Sequence, residues 1–447
     1  MRPPTLRGRE ADTSDPGPTR GRNASGAPEL SSPERWNFAA LVWHGVFFAV
    51  GTALAEPSTA LPAYVGLLSD SPVLVGLMTS LLLAGEVVPQ LLFSRWVEAV
   101  ARKKPFLLAA VYSRALAWLV LGGLTLLWAG RAHQLLLVTL FALLVAFAVG
   151  GSLGGVAFVD VVGKSVRPGS RGRFYAGRQL LGGLAALAAG FLARAILARP
   201  SLGFPSNYAL LFVGAGVALA VAGLGFLSLR EPPGEVRRRP PLTAYLADLR
   251  SLWRDDPALR SLVVVENLAG LHLMLLPFYV TLAQTRLHVG PEAVGTFIIL
   301  QVVGGAVSNV AWGWLADRTG SPSVLRACLA LGLALPPAAL ALATWAPGQY
   351  ALVFLLVGAA VNSRNLSFSN VLVDIAPDAV RPTYSGLVGT LTAPRLLFPL
   401  LGGLLIGAVG YAPVFLAVAL ALLATLVGLG PAAALYASAR REWGAGR

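Results

Sequence analysis

Charge is what this sequence has least of. Only 13% of its 447 residues are Asp, Glu, Lys or Arg, against about 25% in a soluble protein of that length. Polar residues are too few to cover a water-facing surface. Cysteine is nearly absent as well. The single Cys328 excludes an internal disulfide and leaves the redox compartment unread. Lysine occurs three times against 32 arginines, a skew that, with heavy use of Ala, Gly and Leu, suits a GC-rich bacterial genome. No His, Cys or acid cluster has metal-ligand spacing and no Gly-rich loop carries a Walker lysine. Neither a metal, a cofactor nor ATP hydrolysis by this chain is expected. The basic residues are scattered through short turns with no basic domain or aromatic platform, which excludes nucleic acid as a partner.

Apolar residues make up 56% of the chain. They fall in blocks of roughly 20–28 residues, long enough to cross hydrocarbon as helices. Twelve spans are expected, near 37–66, 73–94, 105–129, 134–158, 175–198, 207–229, 258–284, 292–315, 323–345, 350–372, 384–410 and 412–436. The fold class is an all-α membrane protein. Residues 1–35, rich in Pro, Gly, Ser and Arg, cannot bury apolar area and are expected to be a disordered tail. They do not read as a signal peptide, and Asn23-Ala24-Ser25 is a chance match to a glycosylation acceptor. Residues 230–257 form the one long polar break. Within it YLADLRSLW reads as a short amphipathic helix on the anionic inner leaflet or as plain linker. Residues 438–447 form a second tail.

Orientation follows from Lys and Arg in the flanking turns. One side carries 28 of them, and the other has only Arg131, Arg194, Arg199 and Arg286. Both termini and the middle connection are therefore expected in the cytoplasm, with the chain in the bacterial cytoplasmic membrane.

The two halves are copies. SPVLVGLMTSLLLAGEVVPQLLFSRWVEA (71–99) matches GPEAVGTFIILQVVGGAVSNVAWGWLADR (290–318). Pro72 pairs with Pro291, Gly76 with Gly295, Gly85 with Gly304 and Glu98 with Asp317, each 219 residues apart. VDVVGKSVRP (159–168) matches VDIAPDAVRP (373–382), pairing Asp160 with Asp374 and Arg167 with Arg381 at 214. LPAYV (61–65) matches LPFYV (276–280) at 215. The chain reads as two six-helix bundles, 36–229 and 258–437.

With that duplication, the turn GWLADRTG (313–320) resembles the signature Gly-x-Leu-Ala-Asp-Arg-x-Gly of the major facilitator superfamily. Here it falls in the second half. Gly313, Asp317, Arg318 and Gly320 match, while Ser321 and Pro322 stand where basic residues are usual. The first-half turn SRWVEAVARKK keeps Glu98, Arg102 and Lys103 but has lost the glycines. The resemblance covers about residues 36–437. It implies a transporter, not an enzyme, in which two bundles rock about a central site. It also implies that Glu98, Arg102, Asp160, Arg167, Gly313, Asp317, Arg318, Asp374 and Arg381 build a cytoplasmic gate. Physical reasoning points the same way: an acid at one helix end can sit at the positive N-terminus of another. On this reading Asp317 serves span eleven and Glu98 span five, with Gly313 and Gly320 giving close approach and a tight turn. A bland alternative is a set of topology-setting charges in solvated loops.

An ionisable residue inside a span is a functional hypothesis, because its burial is costly. Glu56, Glu86, Arg114, Glu266, Arg364 and Arg395 qualify. Three acids against three bases suggest pairing. By the resemblance, spans one, four, seven and ten line the cavity, which favours Glu56, Glu266 and Arg364, then Glu86 and Arg395. Arg114 is expected to pair with Glu86. VNSRNLSFSN is the most polar stretch within any span, so Arg364, Arg395, Asn362 and Asn365 are expected to bind substrate. A structural pair of Arg364 with Glu266 or Asp374 is the alternative. Burial disfavours a charged carboxylate, which makes Glu56, Glu86 and Glu266 candidates for proton coupling. His44 and His272 are weaker ones.

The expected function is a monomeric secondary active transporter of a small solute, proton-linked, with efflux favoured over uptake of a small, anionic organic solute. Exporters of the family often carry Gly-Pro-x-x-Gly-Gly in the fifth helix. Here that helix has Gly182 and Gly183 without the proline, and Pro399-Leu-Leu-Gly402-Gly403 carries the pattern's tail in the eleventh span. A membrane-embedded transferase would need clustered acids or histidines. A non-transporting scaffold or receptor would not need buried charges.

Overall fold

The structure, a computed structural model, describes residues 32–234, 250, 253–376 and 381–444. Among them are eleven segments long and apolar enough to cross a membrane, and the shorter Ala393–Val409 completes twelve passes. The first pass comprises Ser32–Leu54 and Ala60–Leu68, the second Pro72–Val87 and Gln90–Glu98. The third to sixth are Lys104–Trp128, His133–Ser165, Pro168–Leu197 and Ser206–Ser228. The seventh runs through Pro257–Ala269, a tighter turn at Gly270–Met274, and Phe278–Leu287. Pro291–Thr319, Ser321–Leu342 and Leu352–Ile375 are the eighth, ninth and tenth. The eleventh comprises Arg381–Leu391, Ala393–Leu397 and Phe398–Val409, and the twelfth is Tyr411–Gly444.

Helix therefore begins at Ser32 and continues to Gly444, further at both ends than the composition of the tails predicts. Most of the tail expected over 1–35, most of the linker and its amphipathic stretch YLADLRSLW lie outside the described residues.

Proline sets many of the starts. Pro72, Pro105, Pro168, Pro257, Pro291 and Pro322 stand in first turns, where a missing N–H costs nothing. Asp256 caps the seventh pass, accepting from Leu259 N at 3.0 Å and from the Tyr384 hydroxyl at 2.6 Å. Gly320, at φ 80°, turns the eighth helix directly into the ninth, a left-handed conformation that favours glycine. Gly410, at φ 83°, does the same before the twelfth.

The breaks are duplicated too. The interruption at 55–59 in the first pass corresponds, at the 215-residue offset, to Gly270–Met274 in the seventh. Pro57 explains the first interruption, since a proline drives its predecessor out of helical conformation.

Each half has an aromatic centre. Trp118 and Phe212 stack at 5.5 Å in the first, Phe297 and Phe354 at 4.1 Å in the second. The outer faces are apolar and exposed, with Leu127, Val138, Leu420 and Val427 among them. That suits hydrocarbon, where the helices satisfy their own backbones.

The duplicated glycines do matching work. A Cβ on Gly76 would meet the backbone of Pro399, closing the second pass on the eleventh. One on Gly295 would meet Arg194, closing the eighth on the fifth. Gly85 faces Ala148 and Gly304 faces Leu355, so the second packs on the fourth as the eighth does on the tenth. Leu400 N–H also donates to Ser80 Oγ at 3.0 Å. The contacts of Gly76, Gly295 and Ser80 join the halves at the end opposite the chain termini, while those of Gly85 and Gly304 close each half on itself.

Candidate substrate cavity and gate

Between the halves lies a cavity of about 650 Å³. The first, fifth, eighth and tenth passes line it, with Phe48, Arg178, Gln301, Asn309 and Asn362 among its residues. Exposed apolar side chains of the fifth and eighth passes, including Leu184, Val307 and Val310, border it.

Above the cavity, Glu56 bridges the seam. Gln301 Nε2 donates to Glu56 Oε1 at 3.1 Å, and Ser58 Oγ donates to the same oxygen at 3.1 Å. Gln301 Nε2 also reaches Ser58 Oγ at 2.9 Å. The broken first pass makes this possible, because Glu56 and Ser58 sit where the helix has been interrupted. Among the described residues, no cation lies within 4.0 Å of Glu56.

Glu266, Arg364 and Arg395 come together from the seventh, tenth and eleventh passes. Arg364 Nη2 lies 3.3 Å from Glu266 Oε1, and Arg395 Nη1 donates to that same oxygen. Two guanidiniums on one carboxylate leave one positive charge uncompensated. Arg364 also faces Phe368, 5.7 Å from its centroid, and its Nε is buried without a hydrogen-bond partner. Asn362 lines the cavity, whereas Arg364 and Arg395 are not among its lining residues. The Asn365 side chain lies outside those described.

The first half has a looser counterpart. Arg114 Nη2 is 3.8 Å from Glu86 Oε1 and lies over Phe147 at 4.0 Å. Gly151 makes room for both, since a Cβ there would sit 3.2 Å from each head group. His44 stacks on Phe226 at 3.8 Å, and His272 Nδ1 lies 2.7 Å from Ala269 O.

The expected gate residues sit at helix ends on the face carrying the chain termini. Asp160 pairs with Lys164 at 3.2 Å, one turn along its own helix. Lys164 in turn meets Glu231 at 2.7 Å. Glu231 also accepts from Lys103 N at 2.6 Å and Lys104 N at 2.7 Å. Arg167 pairs with Glu34. Arg102 lines a basic pocket of about 990 Å³ beside them. Asp317 and Arg318 are exposed in the last turn of the eighth pass, and Arg318 lies 4.4 Å over Trp314. A Cβ on Gly313 would meet nothing within 4 Å, so no helix approaches closely there. Glu98 ends the second pass, Asp374 precedes the end of the tenth, and Arg381 opens the eleventh. The Arg381 side chain lies outside those described.

Sequence reasoning missed Glu231 and Arg178. An acid directly after a span, in LREPP amid basic turns, is a signal for the first. Arg178 reads from sequence as a turn residue, yet it lies ten residues into Pro168–Leu197, roughly 15 Å along the helix. The duplication could have exposed it, since both helices that follow the repeated Val-Arg-Pro carry a further arginine, Arg178 and Arg395.

The sequence profile of the Major Facilitator Superfamily matches residues 43–394, with a second match over 269–444. No curated protein matches the chain by sequence. Solved structures do match by shape. A bacterial homologue of the human lysosomal transporter Spinster, inward-facing and unoccupied, gives a TM-score of 0.61 at 15% identity, covering 93% of this chain and 98% of that one. A bacterial homologue of the iron transporter ferroportin, inward-facing, gives 0.66 at 14%, covering 92% and 100%. The nucleoside transporter NupG gives 0.60 at 15%, covering 91% and 99%. At such identities the likeness is one of fold.

Proposed function

Because the chain belongs to the Major Facilitator Superfamily, a family of transporters, we propose that it moves a small amphipathic solute through the cavity by alternating access, driven by protons. The observation that carries this reading is the asymmetry of the seam. The glycine contacts seal the halves at one end, while at the other end Asp160 pairs with Lys164 and Arg167 with Glu34, partners that all belong to the first half. With the basic face in the cytoplasm, that is an inward-open state of a monomer in the cytoplasmic membrane. Closing the cytoplasmic end would bring the exposed Asp317 of the second half toward Arg102 of the first. Exposed pairs are each worth only about 0–1 kcal/mol, yet several can bias conformers that differ by a few kcal/mol.

Glu56 is the strongest of the three proton-coupling candidates. Protonating Glu266 would strip two buried guanidiniums of their counter-charge, and Glu86 also faces an arginine. Glu56 faces only neutral donors, and it bridges the parts that must separate. The apolar border at Leu184, Val307 and Val310 opens the cavity toward hydrocarbon, which suits an amphipathic solute and favours efflux over uptake.

The test is flux in proteoliposomes. A pH gradient should drive movement of a labelled amphipathic solute from a broad panel, and a protonophore should abolish it. Absence of gradient-driven flux across the panel would count against the reading.

A further inference from the structure

The two halves hold their buried arginines differently. In the second half, Arg364 and Arg395 share Glu266. In the first, Arg178 has no such partner. Among the described residues no carboxylate oxygen lies within 4.0 Å of it. Its Nε is buried without a hydrogen bond, and its guanidinium rests 5.1 Å from the centre of Phe158.

The surroundings are built around this side chain. Gly45 on the first pass leaves a slot for it, since a Cβ there would come within 2.6 Å of Arg178 Cγ and Nε. The opposite wall repeats the device: a Cβ on Gly305 would come within 2.6 Å of Asn362 Nδ2. Arg178 and Asn362 both line the cavity between the halves, with the amides of Gln301 and Asn309. Among the described residues, no acidic one lines it.

A guanidinium held in the hydrocarbon region without a counter-charge is costly. A bound anion removes that cost, and a planar guanidinium offers a carboxylate two parallel donors. We infer that the cavity binds an organic monoanion, its carboxylate or sulfonate on Arg178 and its neutral polar groups on Asn362 and Gln301. The apolar body packs on Phe48 and the aliphatic border. This inference rests on the transporter reading and names the substrate class of its cavity. It assigns the anion to the first half, not to the Glu266 cluster.

The test uses three probes of one shape: 2-naphthylacetate, 2-naphthylacetamide and 2-naphthylethylamine. Binding to the purified full chain in detergent is followed by Tm and by tryptophan fluorescence. The acetate should bind more tightly than the amide, and the amine most weakly. Arg178→Gln should weaken the acetate by about tenfold or more, the worth of a charge-assisted pair, and leave the amide within about twofold. Arg178→Lys should restore part of the preference. If Arg178→Gln does not fold, Gly45→Ala displaces the same side chain and should weaken the acetate selectively. Equal binding of acetate and amide, no binding of any probe, or a preference that survives both variants would overturn the inference. Gradient-driven flux of a neutral solute without anion preference would sink it alone. Anion binding without any flux would sink the transporter reading instead.

Discussion

Gln301 donates from Nε2 to Oε1 of Glu56 at 3.1 Å, tying the eighth pass to the break in the first across the seam between the halves. The bond joins an amide from one copy of the duplicated unit to a carboxylate from the other. A carboxylate that changes its proton here changes what holds the halves together.

Glu56→Gln should therefore uncouple transport from the proton without emptying the site. The amide keeps a hydrogen-bonding oxygen but cannot titrate. Flux driven by a pH gradient should fall by about tenfold or more, in the range of a lost proton-transfer group, while solute exchange at equal pH persists. Proteoliposomes measured in both modes decide it, and an equal fall in both would assign Glu56 a structural role.

Gly76→Ala should weaken the seal opposite the chain termini. The added methyl meets the backbone of Pro399, and overpacking of this kind costs about 1–3 kcal/mol. Gly295→Ala should act likewise through Arg194. Spin labels on the outer ends of the second and eleventh passes should report a longer distance in Gly76→Ala than in the parent.

Glu266→Gln should be among the most destabilising single changes in the second half. Its carboxylate is 9% exposed and serves Arg364 and Arg395, themselves 12% and 19% exposed. Removing one partner of a buried pair costs about 3–5 kcal/mol. Glu266→Gln combined with Arg395→Gln should recover part of the loss, because one buried cation then remains instead of two. Tm values of the two singles and the double form the cycle.

Glu231→Ala and Asp160→Asn should differ sharply although both acids meet Lys164. Glu231 is 2% exposed and accepts two backbone N–H groups, whereas Asp160 is 42% exposed. The first should cost about 3 kcal/mol or more, and the second no more than about 1 kcal/mol. A similar fall in Tm for both would contradict the clasp at Glu231.

Gly320→Ala should cost about 1–2 kcal/mol, since φ 80° is left-handed and disfavoured for a residue with a Cβ. Gly313→Ala should leave Tm unchanged within about 0.5 kcal/mol, as an open surface site does. The two glycines of one sequence stretch thus have different reasons to be there.

The sequence determined the class and the plan. Scarce charge and repeated apolar runs dictate membrane-spanning helices, because unpaired backbone groups cannot sit in hydrocarbon. The offsets of 219, 214 and 215 residues give the duplication, and the paired glycines carry their contacts with it. Charged residues in spans are legible one at a time, and the pair of Glu86 with Arg114 is expected from them. Arg364 with Glu266 is only the alternative to a substrate contact, and equal numbers of acids and bases do not show that, among the described residues, Glu266 takes two arginines and Glu56 none. What only the tertiary structure decided is which charges stay uncompensated. Periodicity places Arg178 on a helix but does not say which helix faces it, and a single-letter pattern cannot show that Gly45 leaves it a slot. Nor can the sequence reveal that Glu231 takes Lys164 or that Glu56 meets a neutral amide instead of an arginine. Those outcomes depend on how helices far apart in the chain cross. Their cost is set by local dielectric and distance, which no residue carries alone.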